Sequence, residues 1–424
     1  MNKTQEKLCL DILEKELIPA LGCTEPITIA YAAAKARQIL GELPDHIDIY
    51  CSGNIIKNVK GVMVPNSGGI RGVDAAAILG AVGGNADSVL NVLETVTEQH
   101  CEKCRQLMKE NYADVFLAEG VANLYVKVVV TKEEHFASIT LVSNHTNITE
   151  IVKDGEVLYS KQQSEEAQEQ AEWQLNVETI LDFAKNVSVE KLIPIIKPQI
   201  ELNTAIAEEG LKNHWGQWVG HTMLTYCGDN IFIRAKARAA AGSDARMGGC
   251  SMPVVINSGS GNQGLTVSLP VIEYAKEWKV EEEELYRALA ISNLISIHLK
   301  HYIGTLSAFC GAVTAGAAAG AAITYLAGGS DEQIGNTIIN ALGNVSGIVC
   351  DGAKSSCAAK IASAVEAGIL GHFMAMEDHS FQPGEGLVQQ SLEDSIRSFG
   401  YMGRVGMKQT DIEVLNIMIE KTKP

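Results

Sequence analysis

Between Gly343 and Lys360 the chain reads GNVSGIVCDGAKSSCAAK, an apolar stretch that breaks into Cys350, Asp351, Lys354, Cys357 and Lys360 before turning helix-like again. Thiols, a carboxylate and amines are costly to bury without partners, so their place inside a Gly/Ala-rich segment marks a site. Two more cysteines stand in similar small-residue settings: Cys23 in Gly22-Cys23-Thr24-Glu25-Pro26, and Cys310 inside Leu306 to Gly316. Pro26 suits the first turn of a helix, which puts Cys23 just before a helix N-terminus. The dipole there favours thiolate, the form that binds metal or attacks. Taken singly, each of the three cysteines also fits a buried hydrophobe. Taken together, three separated thiolates suit a 4Fe-4S cluster with one iron left open, or zinc with an open position.

Other motifs carry less. Ser258-Gly259-Ser260-Gly261-Asn262-Gln263-Gly264 contains a literal GxGxxG, but its neighbours look helical, no parallel-sheet pattern follows, and Pro270 comes soon after. A loop whose backbone N–H groups cradle a small anion, such as a substrate carboxylate, needs only the glycines and a helix start. Asn66-Ser67-Gly68-Gly69 offers the same device elsewhere in the chain. Cys101-Glu102-Lys103-Cys104 lies in a charged helix without a second pair or nearby histidines, so a solvated helix is the preferred reading over zinc. Cys9, Cys51, Cys227 and Cys250 read as small core residues. His298 and His301, one turn apart beside Lys300, read as a satisfied pair bordering the Cys310 segment. No HxxxH, GxSxG, Walker A or HExxH pattern is present.

These groups need a scaffold, and the chain supplies a helical one with an insertion. Residues 4–18 pattern as an amphipathic helix ended by Pro19, and a second helix begins at Pro26. From 45 to 165 the character changes. His46–Cys51, 124–130 and 136–142 alternate like half-buried strands, and Lys153-Asp154-Gly155 marks a hairpin between 148–152 and 156–159. Helices are expected near 73–83 and 86–110. The Glu/Gln-rich stretch 163–175 reads as a linker or solvated helix, and everything after about 176 is helical. The fold class expected is α+β: a mainly helical catalytic domain (1–44 and 166–424) with an inserted smaller α/β lobe (45–165), the site lying between them. A net charge of −17 with no Lys/Arg-rich run argues against nucleic acid and anionic membranes. Ala and Gly dominate the uncharged stretch Leu306 to Gly329, which fits a buried core helix better than a membrane span. With no export signal at the start, ten cysteines read as free thiols or ligands in a cytoplasmic protein. A homodimer is one arrangement the sequence leaves open.

In combination, GCTEP at 22–26, SGNIIKN at 52–58, NSGSGNQG at 257–264, Cys310 in its Ala/Gly helix and CDGAKSSCAAK at 350–360 resemble the L-cysteine desulfidase family, related to the iron–sulfur L-serine dehydratase alpha-chain fold. The resemblance covers essentially the whole chain. It implies a 4Fe-4S cluster on Cys23, Cys310 and Cys350, and β-elimination of L-cysteine to pyruvate, ammonia and hydrogen sulfide. L-Serine dehydratase, or a cluster-free small-molecule-binding protein on the same scaffold, is the alternative. The chain departs from the serine dehydratases in two ways. Their later ligands are spread over a longer segment, whereas Cys350 and Cys357 are seven apart. A terminal cysteine that caps the fourth iron in some of them has no counterpart in Glu420 to Pro424. The fourth position is therefore expected to be open, with Cys357 as a further candidate. The base is sought among Lys354, Lys57 and Lys360, whose segments look buried; a buried ion pair, such as Lys354 with Asp351, is the alternative. Ser258, Gly259, Ser260, Gly261, Asn262, Asn54, Asn58, Ser67, Gly68, Thr24, Glu25 and Asp351 are the candidates for holding an amino-acid substrate.

Overall fold

The computed structural model describes residues 3–161, 174–304 and 306–419. The expected linker at 163–175 lies almost wholly outside the described residues, as do the boundary at 165–166 and the chain end from 420. The chain opens with α1 (Lys3–Glu16), β1 (Pro19–Leu21) and α2 (Thr24–Leu40). Gly41, at φ +102°, stops α2 by turning its N–H back to Arg37 O. There follow β2 (His46–Cys51), α3 (Gly53–Val59), α4 (Val73–Gly83), α5 (Glu98–Lys109), β3 (Ala113–Leu117), β4 (Tyr125–Lys132), β5 (His135–Val142), β6 (Ile148–Lys153) and β7 (Glu156–Ser160).

These strands make one six-stranded sheet in the order β3-β2-β4-β5-β6-β7. Its inner face is apolar at every second residue: Ile47, Ile49 and Cys51 on β2, Val126, Val128 and Val130 on β4. The β6–β7 turn holds Asp154 and Gly155 at positive φ, as the Asp-Gly signal predicts. β3 escapes sequence reading because it pairs in parallel with β2, through a crossover that no local pattern announces. The helix expected across 86–110 is two pieces. A short 3₁₀ helix (Ala86–Asn91) breaks at Val89, φ 48°, and α5 restarts behind Thr97, which shares a capping box with His100. α2 and α4 cover the inner face of the sheet. They cross in backbone contact, because a Cβ on Gly80 would lie 2.2 Å from Ala30 O.

The helical part comprises α6 (Val177–Asn186), α7 (Val189–Lys212), α8 (Val219–Cys227), α9 (Ile231–Met247), β8 (Pro253–Val255), α10 (Gly261–Trp278), α11 (Glu282–Ile303), α12 (Gly311–Leu326), α13 (Asp331–Val345), α14 (Cys357–Met376), α15 (Leu392–Tyr401) and α16 (Lys408–Met418). Small residues set its spacing. A Cβ on Gly368 of α14 would lie 2.1 Å from Gly316 O of α12, so these two helices touch main chain to main chain. The uncharged stretch is thus an interior helix. No helix among the described residues is long and apolar enough to cross a membrane. β8 pairs antiparallel with β1, not in a parallel sheet, and one apolar core runs through sheet layer and helices alike. The β1–β8 pairing carries Cys23 to the Ser258–Gly264 loop.

Candidate functional site

The three cysteine segments meet. Cys23, Cys310, Cys350 and also Cys357 line one cavity of about 110 Å³, together with Glu25, Asn58, His145, Arg246, Lys300 and the loop residues Ser258, Gly259, Ser260, Asn262 and Gln263. Local structure explains the convergence. Cys23 caps α2, Cys310 caps α12, Cys357 opens α14, and Ser260 caps α10, its hydroxyl accepting from Gln263 N. Four helix N-termini therefore face one small space, each with unsatisfied N–H groups and partial positive charge. Such a space favours a bound carboxylate or another anionic centre, although burial outweighs the dipole at Cys23 and Cys310 and disfavours the thiolates expected there.

Cys310 and Cys350 are held side by side by the backbone. Cys310 N–H donates to Ile348 O (3.1 Å), Cys350 N–H donates to Ala308 O (2.6 Å), and Phe309 and Val349 form a bridge between them. The loop after Cys350 is braced by Lys354, which reaches Asp351 Oδ1 at 2.6 Å, and by Lys360, which pairs with the same carboxylate and reaches Val349 O at 2.7 Å. Gly352, at φ +96°, sits so close to Lys57 O that a Cβ would lie 2.4 Å from it. Behind the glycine loop, Asn257 donates to Asn293 O (3.2 Å) and accepts from Ser258 (3.0 Å) and Ser296 (3.1 Å). Asn293 in turn exchanges hydrogen bonds with Gln199. In front of it, the Thr24 hydroxyl donates to Gly259 O at 2.8 Å.

Burial sets the protonation of these groups. It pushes the Cys310 thiol up to about 12, with Cys350 adding to the shift. Cys23 is raised well above the thiol range by burial and by the Glu25 carboxylate, to which it donates at 3.0 Å. Glu25 is itself held below the ordinary carboxylate value: burial opposes this, but His145, the Cys23 thiol and Arg246 outweigh it. Burial lowers His145, although Glu25 works against it. Lys300 is lowered by burial, with Cys350 and Cys310 opposing. Metal loading of this site would release thiol protons.

Of the expected substrate-binding residues, Glu25, Asn58, Ser258, Gly259, Ser260 and Asn262 line the cavity, and Thr24 and Gly261 stand directly behind. Ser67 and Gly68 are elsewhere: Ser67 closes its own turn on Ile70, and Gly68 O accepts from Arg105 of α5. Asn54 and Asp351 are not in the cavity wall. Neither are the three lysines expected to supply a base. Lys57 is buried against Asp411 of α16, and Lys354 and Lys360 share Asp351, which raises Lys360 against the lowering effect of its burial. All three amines are engaged in ion pairs, the alternative reading.

Sequence reading missed Arg246, His145, Lys300 and Gln263. Five polar atoms of the wall are buried and lack any hydrogen-bond partner: Asn58 Oδ1, His145 Nε2, Arg246 Nε, Asn262 Oδ1 and Gln263 Oε1. Native interiors rarely leave so many orphans together unless a ligand meets them. Four thiols at one cavity are the donor chemistry that an iron–sulfur cluster takes. No three of these thiols gather within 4.8 Å of one another among the described residues. A single zinc ion, with Zn–S of about 2.3 Å, would need sulfurs roughly 3.8 Å apart.

Comparison with known proteins places the chain in a family. Residues 87–416 match the family described as serine dehydratase alpha chain, a span that includes His145, Arg246, Cys310, Cys350 and Cys357 but not Cys23 or Glu25. Curated relatives match over nearly the whole chain. The chain is 51% identical to a UPF0597 protein of Lachnoclostridium phytofermentans over 414 residues, 97% of this chain and 99% of that one. It is 47% identical to a UPF0597 protein of Treponema denticola over 99% of both chains, and 37% identical to one of Bacteroides thetaiotaomicron, again over 99% of both.

Proposed function

The chain belongs to the serine dehydratase alpha-chain family, which supports a lyase-type function, and from that premise we propose that it is an iron–sulfur-dependent lyase acting by β-elimination on L-cysteine. The products are pyruvate, ammonia and hydrogen sulfide. The observation that carries this reading is the meeting of thiols from three remote segments at one cavity ringed by helix N-termini. Cys23, Cys310 and Cys350 would hold a 4Fe-4S cluster whose open iron supplies Lewis acidity toward the leaving sulfur.

The chain's own residues do the rest. N–H groups of the loop and of the first turn of α10 orient the substrate. His145, kept neutral by burial and with Nε2 unpartnered at the cavity, takes the Cα proton. The freed electron pair becomes the Cα–Cβ double bond, the Cβ–S bond breaks, and sulfur leaves with its electrons as HS⁻. Aminoacrylate then departs and hydrolyses without help. Lys300 stands beside Cys310 and Cys350 and offsets the charge those ligands acquire as thiolates. Asp351, Lys354 and Lys360 keep the Cys350 loop in shape rather than touching substrate.

The family description names serine, and the same parts would serve HO⁻ as leaving group, so L-serine dehydratase is the second reading. Anaerobic purification tests both. The expected result is a brown protein with about four irons per chain that forms sulfide and pyruvate from L-cysteine, and a Cys310→Ser variant that loses the iron. Pyruvate from L-serine alone selects the second reading. A colourless protein with neither activity overturns both in favour of a cluster-free binding protein.

A further inference from the structure

We propose that the cavity recognises both charged ends of a free α-amino acid, Arg246 taking the carboxylate and Glu25 the ammonium. This rests on the reading above only for what happens at the third substituent, the one that faces the thiols. Arg246 leaves the last turn of α9, is 4% exposed, and has no salt-bridge or hydrogen-bond partner for its side chain among the described residues. Gly261 is required for it to reach the cavity, since a Cβ there would lie 2.3 Å from Arg246 Nε. A buried guanidinium without a carboxylate is costly, and a ligand anion removes that cost. The first turn of α10, capped by Ser260, adds backbone N–H donors beside it.

The opposite pole is built with equal care. Glu25 Oε1 accepts from Asn58 Nδ2 at 2.9 Å; Oε2 accepts from Cys23 (3.0 Å) while that thiol keeps its proton, and takes the longer arm (3.2 Å) of the Thr24 hydroxyl bond shared with Gly259 O. The bond to Glu25 fixes the amide of Asn58 so that Oδ1 is left as a free acceptor, 6% exposed with its residue. Gln263 Oε1 is a second buried acceptor on the wall. An ammonium has three N–H donors and no acceptor, which is the complement of a carboxylate and two amide oxygens. Glu25 and Arg246 feel each other electrostatically yet do not close into a salt bridge. A zwitterion spanning them satisfies both.

The consequence is strict selectivity for unmodified α-amino acids over peptides, amides and N-acyl derivatives. L-Alanine tests this, because it has both ends and no leaving group. With cluster-loaded protein under anaerobic calorimetry, L-alanine should bind on the order of 30-fold or more tighter than N-acetyl-L-alanine or L-alaninamide, the penalty for leaving a buried charge unpaired. Arg246→Met should abolish the preference over the amide while keeping that over the N-acetyl form; Glu25→Gln should do the reverse. Equal binding of the three ligands by the unaltered protein overturns the proposal, whether or not the variants fold. Selective alanine binding without any elimination would sink the lyase reading and leave this one standing; sulfide production with flat ligand preference would do the opposite.

Discussion

His145 sits in a turn, Ser143-Asn144-His145-Thr146, whose only local signal is a glycosylation-like pattern. Its importance comes from across the fold: Gly259 packs so closely that a Cβ would lie 2.9 Å from the imidazole Cε1, and Glu25 lies near enough to act on its charge. If it removes the Cα proton, His145→Asn should cut kcat by about 10²–10⁴ with iron content unchanged. The pH profile has a definite sign. Burial lowers the imidazole below its ordinary 6.5, so the neutral, competent form is already complete above that value, and kcat/KM should rise only at acid pH and level off by neutrality. An acid limb centred above 6.5 would count against the assignment. The sulfurs were legible because each stands at a break in an apolar, small-residue segment. Arg246 was not, since Ala-Arg-Met-Gly-Gly reads as the polar end of an ordinary helix until Gly261 is seen to make room for it. The lysines misled for a related reason: sequence shows a charge but not that Asp351 and Asp411 already hold it.

Helices and strands were easier to read than their contacts. The His46–Cys51 strand, the helix at 73–83 and the Asp-Gly hairpin follow from alternation, apolar period and turn chemistry, all local. The parallel β2–β3 pair and the three-residue β1–β8 ladder depend on chain segments far apart, and the latter is what positions Cys23. Small residues carry information that sequence periodicity blurs: the Gly316, Gly320 and Gly368 crossing of α12 and α14 is legible only as a surplus of Gly and Ala. Gly368→Ala should destabilise the protein by roughly 1–3 kcal/mol, read as a lower Tm, because Gly316 O is backbone and cannot swing aside. Gly347→Ala, with open space around it and an ordinary φ, should leave Tm unchanged. If both melt alike, the crossing is looser than described.

At the scale of the molecule, buried titratable groups make stability depend on pH in a calculable direction. His372, buried between α12, α13 and α14 and bonded to Thr324 at 3.0 Å, is lowered by burial to about 4, as is His301, where His298 and Arg404 add to the effect. Between 6.5 and about 4 the unfolded chain binds protons that the folded one refuses, so stability falls as pH drops through that window. Asp244, raised by burial to about 6, works the other way, favouring the folded state as pH falls from 6 toward 3.8. With His145 also lowered and Glu16 also raised by burial, three histidines against two carboxyls predict a net loss, and His372→Gln should flatten the decline of Tm between pH 7 and 5. A decline as steep as in the unaltered protein would show that other groups govern it.

The backbone ladder that ties Cys310 to Cys350 gives those two sulfurs a shared foundation, while Cys23 rides on α2, whose allegiance is to the sheet. A cluster gripping all three would act as a rivet through both layers, clinched last and lost first.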